Sequence, residues 1–493
     1  MMGIKNRDFK PQAQVCLEDL VPNTHFYRDV ETKLDLTFVR ELVRDFYVPY
    51  GRTSVDPVVF FKLQLIMLFE GFRSERQLME QVQVNLAFRW YIGYDLDEAI
   101  PDHSSLTKIR ERYGLPVFRQ FFEHIVQRCI DAGLVWGQEL YFDGTQVQAN
   151  ASIESNVSNF EYNLLNHLNI LFDEPPSPPL SRPEKDFMED WIDRYHEPSA
   201  WQAVDSAYQS IAEQHTSYTD ADATPLRRSS TSRARLGYHT HNVVDGGRSR
   251  IILATLVTPA SIQDNQPMLD LARWLRFRWQ LDIDIAVGDS KYGSIDNIVG
   301  LLQDGIVPLT PRTDYNSGKK FYSNDLFRYD AENDIYLCPQ GNPLKRQGVD
   351  QANRSIVYSA KPTFCDPCRV RSACTTNKRG RRVHRSFFQT ELDQAASYRE
   401  TPLYQKAMNK RKVWVEPKFA EAKQWHGMYR FRLRRIWRVN IEALLIASVQ
   451  NIKQLLKPRY SRQKPLPPAP SAALVPLILT FCFSFFSIAL QNI

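Results

Sequence analysis

Seven cysteines in 493 residues are too few, and too unevenly placed, for a disulfide framework. Four of them fall between Cys338 and Cys374, which argues instead for a reducing compartment and a metal. The opening residues, MMGIKNRDFKPQ, have no apolar core and no cleavage-site pattern, so no secretory leader is expected and the cytoplasm is the expected location. No repeat of solenoid length runs along the chain. What is present is ordinary in bulk: 43% hydrophobic and 24% charged residues, enough for about two to four domains with cores of their own.

Charge is less ordinary in its placement. Between Arg369 and Arg438 there are 19 Lys and Arg against 5 Asp and Glu, a balance of +14. The whole chain carries +6, so the remainder carries −8. One basic block on an otherwise acidic chain points to a polyanionic partner, with a solvated basic face as the competing reading.

The periodicity divides the chain. Residues 1–135 read as helices: DPVVFFKLQLIMLFEGF has an extended apolar face, SERQ reads as a capping box for the next helix, and PDHSSLTKIRERYG offers Ser or His caps for another. Such helices form a plain bundle or, with Arg and Lys on their polar faces, a DNA-binding domain. From Glu139 the period shifts to strands, LYFDGTQVQA, YHTHNVVDGG, RIILATLVTP and IDIAVGDSKYG, followed by a helix over SIDNIVGLLQDG and a short strand, IVPLTP. Residues 155–230 interrupt this α/β layer with helical pieces and a Pro-rich loop, DEPPSPPLSRP. A cysteine-rich section at about 330–385 precedes three further helices, and residues 458–493 form a Pro-rich linker and tail.

Two strands end in carboxylates. LYF runs into Asp143-Gly144-Thr145, and in IDIAVGDSKYG the residues Ile283, Ile285, Val287 and Asp289 share parity, which aims Asp289 with the buried side chains. Ligands of open α/β sheets gather at the carboxyl ends of strands, so the pair invites a shared site, whereas a lone strand-end Asp is commonly a turn cap. In a helix starting near Val415, Glu416, Phe419 and Lys423 share a face; Glu421 lies well around it and is the weaker candidate.

LYFDGTQVQANAS, IAVGDSKYGS and VEPKFAEAKQWHG resemble the three signatures of bacterial insertion-sequence DDE transposases. The N-terminal stretch from SVDPVVFF to LTKIRER, VTPASIQDNQPMLDL and the YLCPQG…CDPC…ACT pattern are similar to further blocks of that family, over about residues 20–455. The resemblance implies an α/β fold: an RNase H-like core over 136–457 with a helical N-terminal domain, a helical insertion and a Cys-rich insertion. It implies Asp143, Asp289 and Glu416 as catalytic, metal-binding carboxylates and Lys423 as a DNA contact, with Arg411 and Lys412 beside the glutamate. Arg430, Arg432, Arg434 and Arg435 cluster just beyond the Glu416 helix and are expected on phosphates. The implied activity is two-metal phosphoryl transfer with Mg²⁺ or Mn²⁺, which prefer oxygen ligands. The implied partners are double-stranded DNA, terminal inverted repeats and target DNA, bound by a homodimer. A nuclease that cuts without joining, and a non-catalytic DNA-binding regulator, are the rival functions.

Cys338, Cys365, Cys368 and Cys374 follow C-x26-C-x2-C-x5-C, a spacing suited to a closed Zn²⁺ site, with incidental thiols as the alternative. The tail LVPLILTFCFSFFSIAL is almost wholly apolar and is expected to pack on protein rather than to anchor in a membrane.

Overall fold

A computed structural model of the chain describes residues 15–48, 54–159, 162–163, 215–227, 233–311 and 321–457. Most of the expected 155–230 insertion, including both its helical pieces and the Pro-rich loop, lies outside the described residues, as does the apolar tail. Met1–Leu456 makes one compact unit and Lys457–Ile493 a second.

The N-terminal helices form over the expected stretches, with caps at their starts. Helix α1 (Pro57–Phe69) starts at Asp56, whose carboxylate accepts from the Val58 amide, with proline at the first turn where no amide donor is missed. Helix α2 (Glu75–Val84) starts at Ser74, which accepts from the Gln77 amide at 3.5 Å. Helix α3 (His103–Asp131) is capped by Asp102, not by the expected Ser or His, through a 2.8 Å bond from the Ser104 amide. It breaks at Gly114, where φ of 62° demands glycine, two residues before Pro116.

Strands β1 (Glu139–Gln148), β2 (Arg235–Asp245), β3 (Ile252–Pro259), β4 (Ile285–Val287) and β5 (Val307–Leu309) form one sheet in the order β3-β2-β1-β4-β5. β1, β2 and β3 pair antiparallel, whereas β4 runs parallel to β1 and β5 parallel to β4. A short strand, Thr224–Leu226, pairs with the start of β2. Helices α4 (Met268–Trp279) and α5 (Ile295–Gln303) follow β3 and β4.

β1 does not stop at Asp143. Its backbone stays paired with β2 as far as Gln148↔Gly237, so Asp143 lies in mid-strand opposite Asn242. The Gly144-Thr145 step, which reads as a turn, is held extended by that neighbour. Beyond it, Gln148 exchanges backbone bonds with Tyr429 and Phe431.

The cysteine-rich section is a sheet of its own, where the sequence shows only a loop. β6 (Arg328–Asp330), β7 (Ile335–Leu337), β8 (Pro343–Asp350), β9 (Ser355–Ala360) and β10 (Arg382–Ser386) are antiparallel throughout, over a small core of Phe327, Tyr336, Leu344, Tyr358, Ala360 and Val383. Helices α6 (Gln389–Ser397), α7 (Pro402–Trp414), α8 (Glu416–Trp425) and α9 (Ile436–Leu456) then return to the main core. α9 is buried almost all round, against β3 on one side and α1 and α3 on another. One hydrophobic core therefore runs from Tyr27 to Leu456.

Candidate active site

The parallel pairing of β1 with β4 matches Tyr141 to Val287 and ends there. Two residues further along each chain stand Asp143 and Asp289, so the same register that pairs the strands sets the two carboxylates side by side. Asp289 leaves β4 as the cap of a 3₁₀ turn, Ser290–Tyr292, with its Oδ1 accepting from the Lys291 amide at 2.8 Å. It is therefore both a turn cap and a neighbour of Asp143. Capping and site geometry are compatible, because the cap uses one carboxylate oxygen and leaves the other.

A cation joins the pair. Arg411, on α7, places Nη2 3.1 Å from Asp143 Oδ1 and 3.9 Å from Asp289 Oδ2. Burial nevertheless pushes the Asp143 carboxyl up to about 6; Arg411 pulls the other way, and the adjacent Asp289 charge adds to the rise. A buried carboxylate kept beside a second one costs stability, and Arg411 offsets part of that cost.

Lys423 meets the same strand. Its Nζ lies 2.5 Å from Thr145 Oγ1, and Thr145 shares a face of β1 with Asp143 by strand parity. The α7–α8 segment is thus fastened to that face twice, at Arg411 and at Lys423, with Glu416 between them. Glu416 itself opens α8, is exposed, and has neither a hydrogen bond nor an ion pair to either aspartate among the described residues. Glu421 is engaged elsewhere: it pairs with Lys453 at 3.1 Å and lies near His426. Burial works against its charge, yet the hydrogen bond from His426 and the charges of Lys453 and Lys418 hold its pKa at about 2.

The other basic candidates divide by depth. Lys412 is exposed. Arg430 bonds the Ala149 carbonyl and Asn150 Oδ1, Arg434 bonds the Asn150 carbonyl, and both remain exposed beside the end of β1. Arg435 faces Asp222 at 3.4 Å. Arg432 turns inward to Glu75 at 3.3 Å, in a network with Arg110, and burial lowers its pKa. That places its guanidinium under the N-terminal helices rather than out toward a phosphate.

A second cluster, which sequence reasoning missed, backs the site from the other face of β1. Asp264 accepts from Lys291 Nζ at 2.7 Å and lies 3.2 Å from His239 Nδ1. Burial would raise its pKa, but His239, His241 and Lys291 together hold it below the usual carboxylate range. A Cβ at Gly144 would stand 3.0 Å from Asp264 Oδ1, so glycine next to Asp143 is what lets Asp264 approach. The available signal was Asp264 within VTPASIQDNQPMLDL and Lys291 directly after the Asp289 turn; neither carries a periodicity that reveals the contact.

The four cysteines Cys338, Cys365, Cys368 and Cys374 line one cavity of about 30 Å³ with Tyr322, Phe364 and Arg381. Burial raises the Cys374 thiol, and the other three sulfurs add to the rise. As placed, no three His, Cys, Asp or Glu side chains among the described residues form a group that could hold a metal ion. No helix among them is long and apolar enough to cross a membrane.

Residues 15–112 match the family described as a transposase domain (DUF772), and residues 337–456 match the family described as a transposase DDE domain. The second match includes the four cysteines, Arg411, Glu416 and Lys423, whereas Asp143 and Asp289 fall outside both matches. No curated protein matches the chain.

Proposed function

This chain belongs to the insertion-sequence DDE transposases, and on that premise we propose that it cuts DNA at the ends of a mobile element and joins those ends to target DNA. The observation that carries the reading is the register of β1 and β4, which sets Asp143 beside Asp289 under a shared cation. The sheet order β3-β2-β1-β4-β5, three antiparallel strands and then two parallel ones, supports an RNase H-like core.

Asp143, Asp289 and Glu416 supply the hard oxygen donors that suit Mg²⁺ or Mn²⁺. Such ions, when bound, polarise the attacking and leaving oxygens of an in-line displacement at phosphorus. The chain's own contributions are positional. β1 and β4 hold two carboxylates side by side, and Glu416 is the residue that α8 would turn toward them, with Arg411 and Lys423 on either side of it bonded to β1. Arg411, Lys412, Lys423, Arg430, Arg434 and Arg435 provide charge for the phosphates of terminal and target DNA. Two copies of the chain would hold the two element ends.

The test is a cleavage and strand-transfer assay beside a gel shift on the same end DNA. Asp143→Asn, Asp289→Asn and Glu416→Gln are expected to lose cleavage by at least about 100-fold while retaining binding, because charge at the reacting phosphate is lost but phosphate contacts remain. Glu421→Gln should cut nearly normally. Normal cleavage by Asp143→Asn sinks the assignment; cleavage without joining in the unmodified protein selects the nuclease reading.

The four cysteines are proposed to bind one structural Zn²⁺. The support is that all four line one cavity beside a sheet whose core has only six buried residues, since so small a core is commonly stapled by a metal; as placed they do not form a metal-holding group, so the side chains would have to close on the ion. Elemental analysis of the purified chain should find close to one equivalent of zinc, lost in Cys365→Ser/Cys368→Ser; zinc-free, folded, active protein defeats the proposal.

A further inference from the structure

Arg411 is placed where its own chemistry is incomplete. Its Nη2 serves Asp143 and, at 3.9 Å, Asp289. Its Nε is buried without a hydrogen-bond partner. Guanidinium donors out of water normally find acceptors, and an unmet one costs about 1–3 kcal/mol. The arrangement thus satisfies the carboxylates' charge better than it satisfies the arginine.

The helix that carries it is fixed. On the residue before, Lys410 pairs with the buried Glu139 on β1. Three residues after, Trp414 Nε1 donates to the Gly247 carbonyl at 3.0 Å. α7 is held on both sides of Arg411, so a change at this position is a side-chain rotation, with three or four torsions to absorb it.

We propose that Arg411 is an exchangeable counter-ion: it holds the charge of Asp143 and Asp289 until a divalent cation takes its place, and the released guanidinium then becomes free for a DNA phosphate. The inference rests on the metal-binding role proposed above for the two aspartates and adds a competition between the chain's own cation and the metal. The physical case is mutual exclusion. A guanidinium and a divalent ion both need the same carboxylate oxygens, and neither tolerates the other within contact distance. A fixed helix with a long, rotatable cationic side chain allows the exchange without refolding. In this arrangement Arg411 prevents two adjacent carboxylates from repelling each other in the metal-free protein, and links metal entry to release of a phosphate contact.

The full-length chain, stripped with a chelator, is titrated with Mn²⁺ at pH 8 without DNA, and free Mn²⁺ is followed by electron paramagnetic resonance. Arg411→Gln should bind Mn²⁺ at least about tenfold tighter than the unmodified chain, the equivalent of one charge-assisted hydrogen bond no longer displaced. Lys412→Gln, which removes a neighbouring exposed charge, should change affinity less than about twofold. In the unmodified chain, Mn²⁺ should accelerate modification of Arg411 by phenylglyoxal, read by mass spectrometry, which keeps the test open if Arg411→Gln folds poorly. Equal or weaker Mn²⁺ binding by folded Arg411→Gln, or modification that Mn²⁺ leaves unchanged or slows, overturns the exchange and leaves the metal-binding role of the aspartates standing. Absence of Mn²⁺ binding in every form overturns that role and the exchange with it.

Discussion

At the scale of the residue, Asp143 shows how burial and charge separate function from stability. Its folded pKa of about 6 lies above the usual aspartate value. Such a group costs almost nothing below about pH 3, where both folded and unfolded forms are protonated, and its cost grows as pH rises to about 6. Above that the penalty is roughly 3 kcal/mol at most, with the opposing pull of Arg411 already included. Asp143→Asn should therefore be more stable to unfolding than the unmodified chain at pH 8 in chelator, by about 1–2 kcal/mol, with the advantage gone at about pH 3. A variant that is less stable at pH 8 would mean the Arg411 contact outweighs burial. Gly144→Ala tests the other face of β1: its Cβ at 3.0 Å from Asp264 pushes that carboxylate by a few tenths of an ångström, and with it the Asp264–Lys291 pair behind the Asp289 turn. Cleavage should fall at least about tenfold with DNA binding kept, measured in the same two assays. The two aspartates were singled out by a local pattern, an acid following an apolar run, although only Asp289 stands at the end of its strand. The contact with Arg411, 268 positions away from Asp143, has no local trace.

At the scale of the element, α9 and β3 fit by length. β3 is an edge strand, and its open backbone groups are taken by two asparagines of α9. Asn451 accepts from the Ile252 amide at 2.9 Å and donates to its carbonyl at 2.8 Å; Asn440 does the same at Val257, at 2.8 and 3.0 Å. Eleven helical residues rise about 16.5 Å, and five strand residues span about the same distance, so the two side chains meet the two peptide units in step. The helix covers the edge and removes it as a pairing surface. Asn440→Leu and Asn451→Leu should each cost about 2–4 kcal/mol, since each strands a buried amide and carbonyl, and the two costs should add. Denaturant unfolding of the single and double variants checks both; a cost under about 0.5 kcal/mol for either would mean that water or another group substitutes. The cap at Ser74 was legible because a cap and its helix are neighbours in sequence. The five strands around the cysteines were not legible: two of them have only three residues, too short for alternation to register.

At the scale of the molecule, the basic block splits into surface and interior. Arg430 and Arg434 are exposed beside the end of β1, while Arg432 between them is tied to Glu75. Binding to end DNA should weaken steeply with salt. Replacing Arg430 and Arg434 by Gln should lower the slope of log K against log[salt] by about 2. Arg432→Gln should leave the slope unchanged and instead cost about 1–3 kcal/mol of stability. An unchanged slope in the double variant would make the block a solvated face. The alternation of exposed and buried arginines follows from tertiary packing against the N-terminal helices, and composition treats all of them alike.

What the sequence determined alone is what neighbours in the chain decide: which stretches of the N-terminal region are helical and where the strands of the main sheet run. Capping, periodicity and turn chemistry act over a few residues, and their signals are present in any short window. Only the tertiary structure decided how β1 pairs past Asp143, because that part of the strand is held by β2 about a hundred residues later. It likewise decided that Arg411 joins Asp143 and Asp289, that Arg432 faces inward, and that Asp264 comes up behind Gly144. Each of these contacts is made between side chains whose separation along the chain is large, and long-range packing and charge pairing leave no periodicity for a sequence to display.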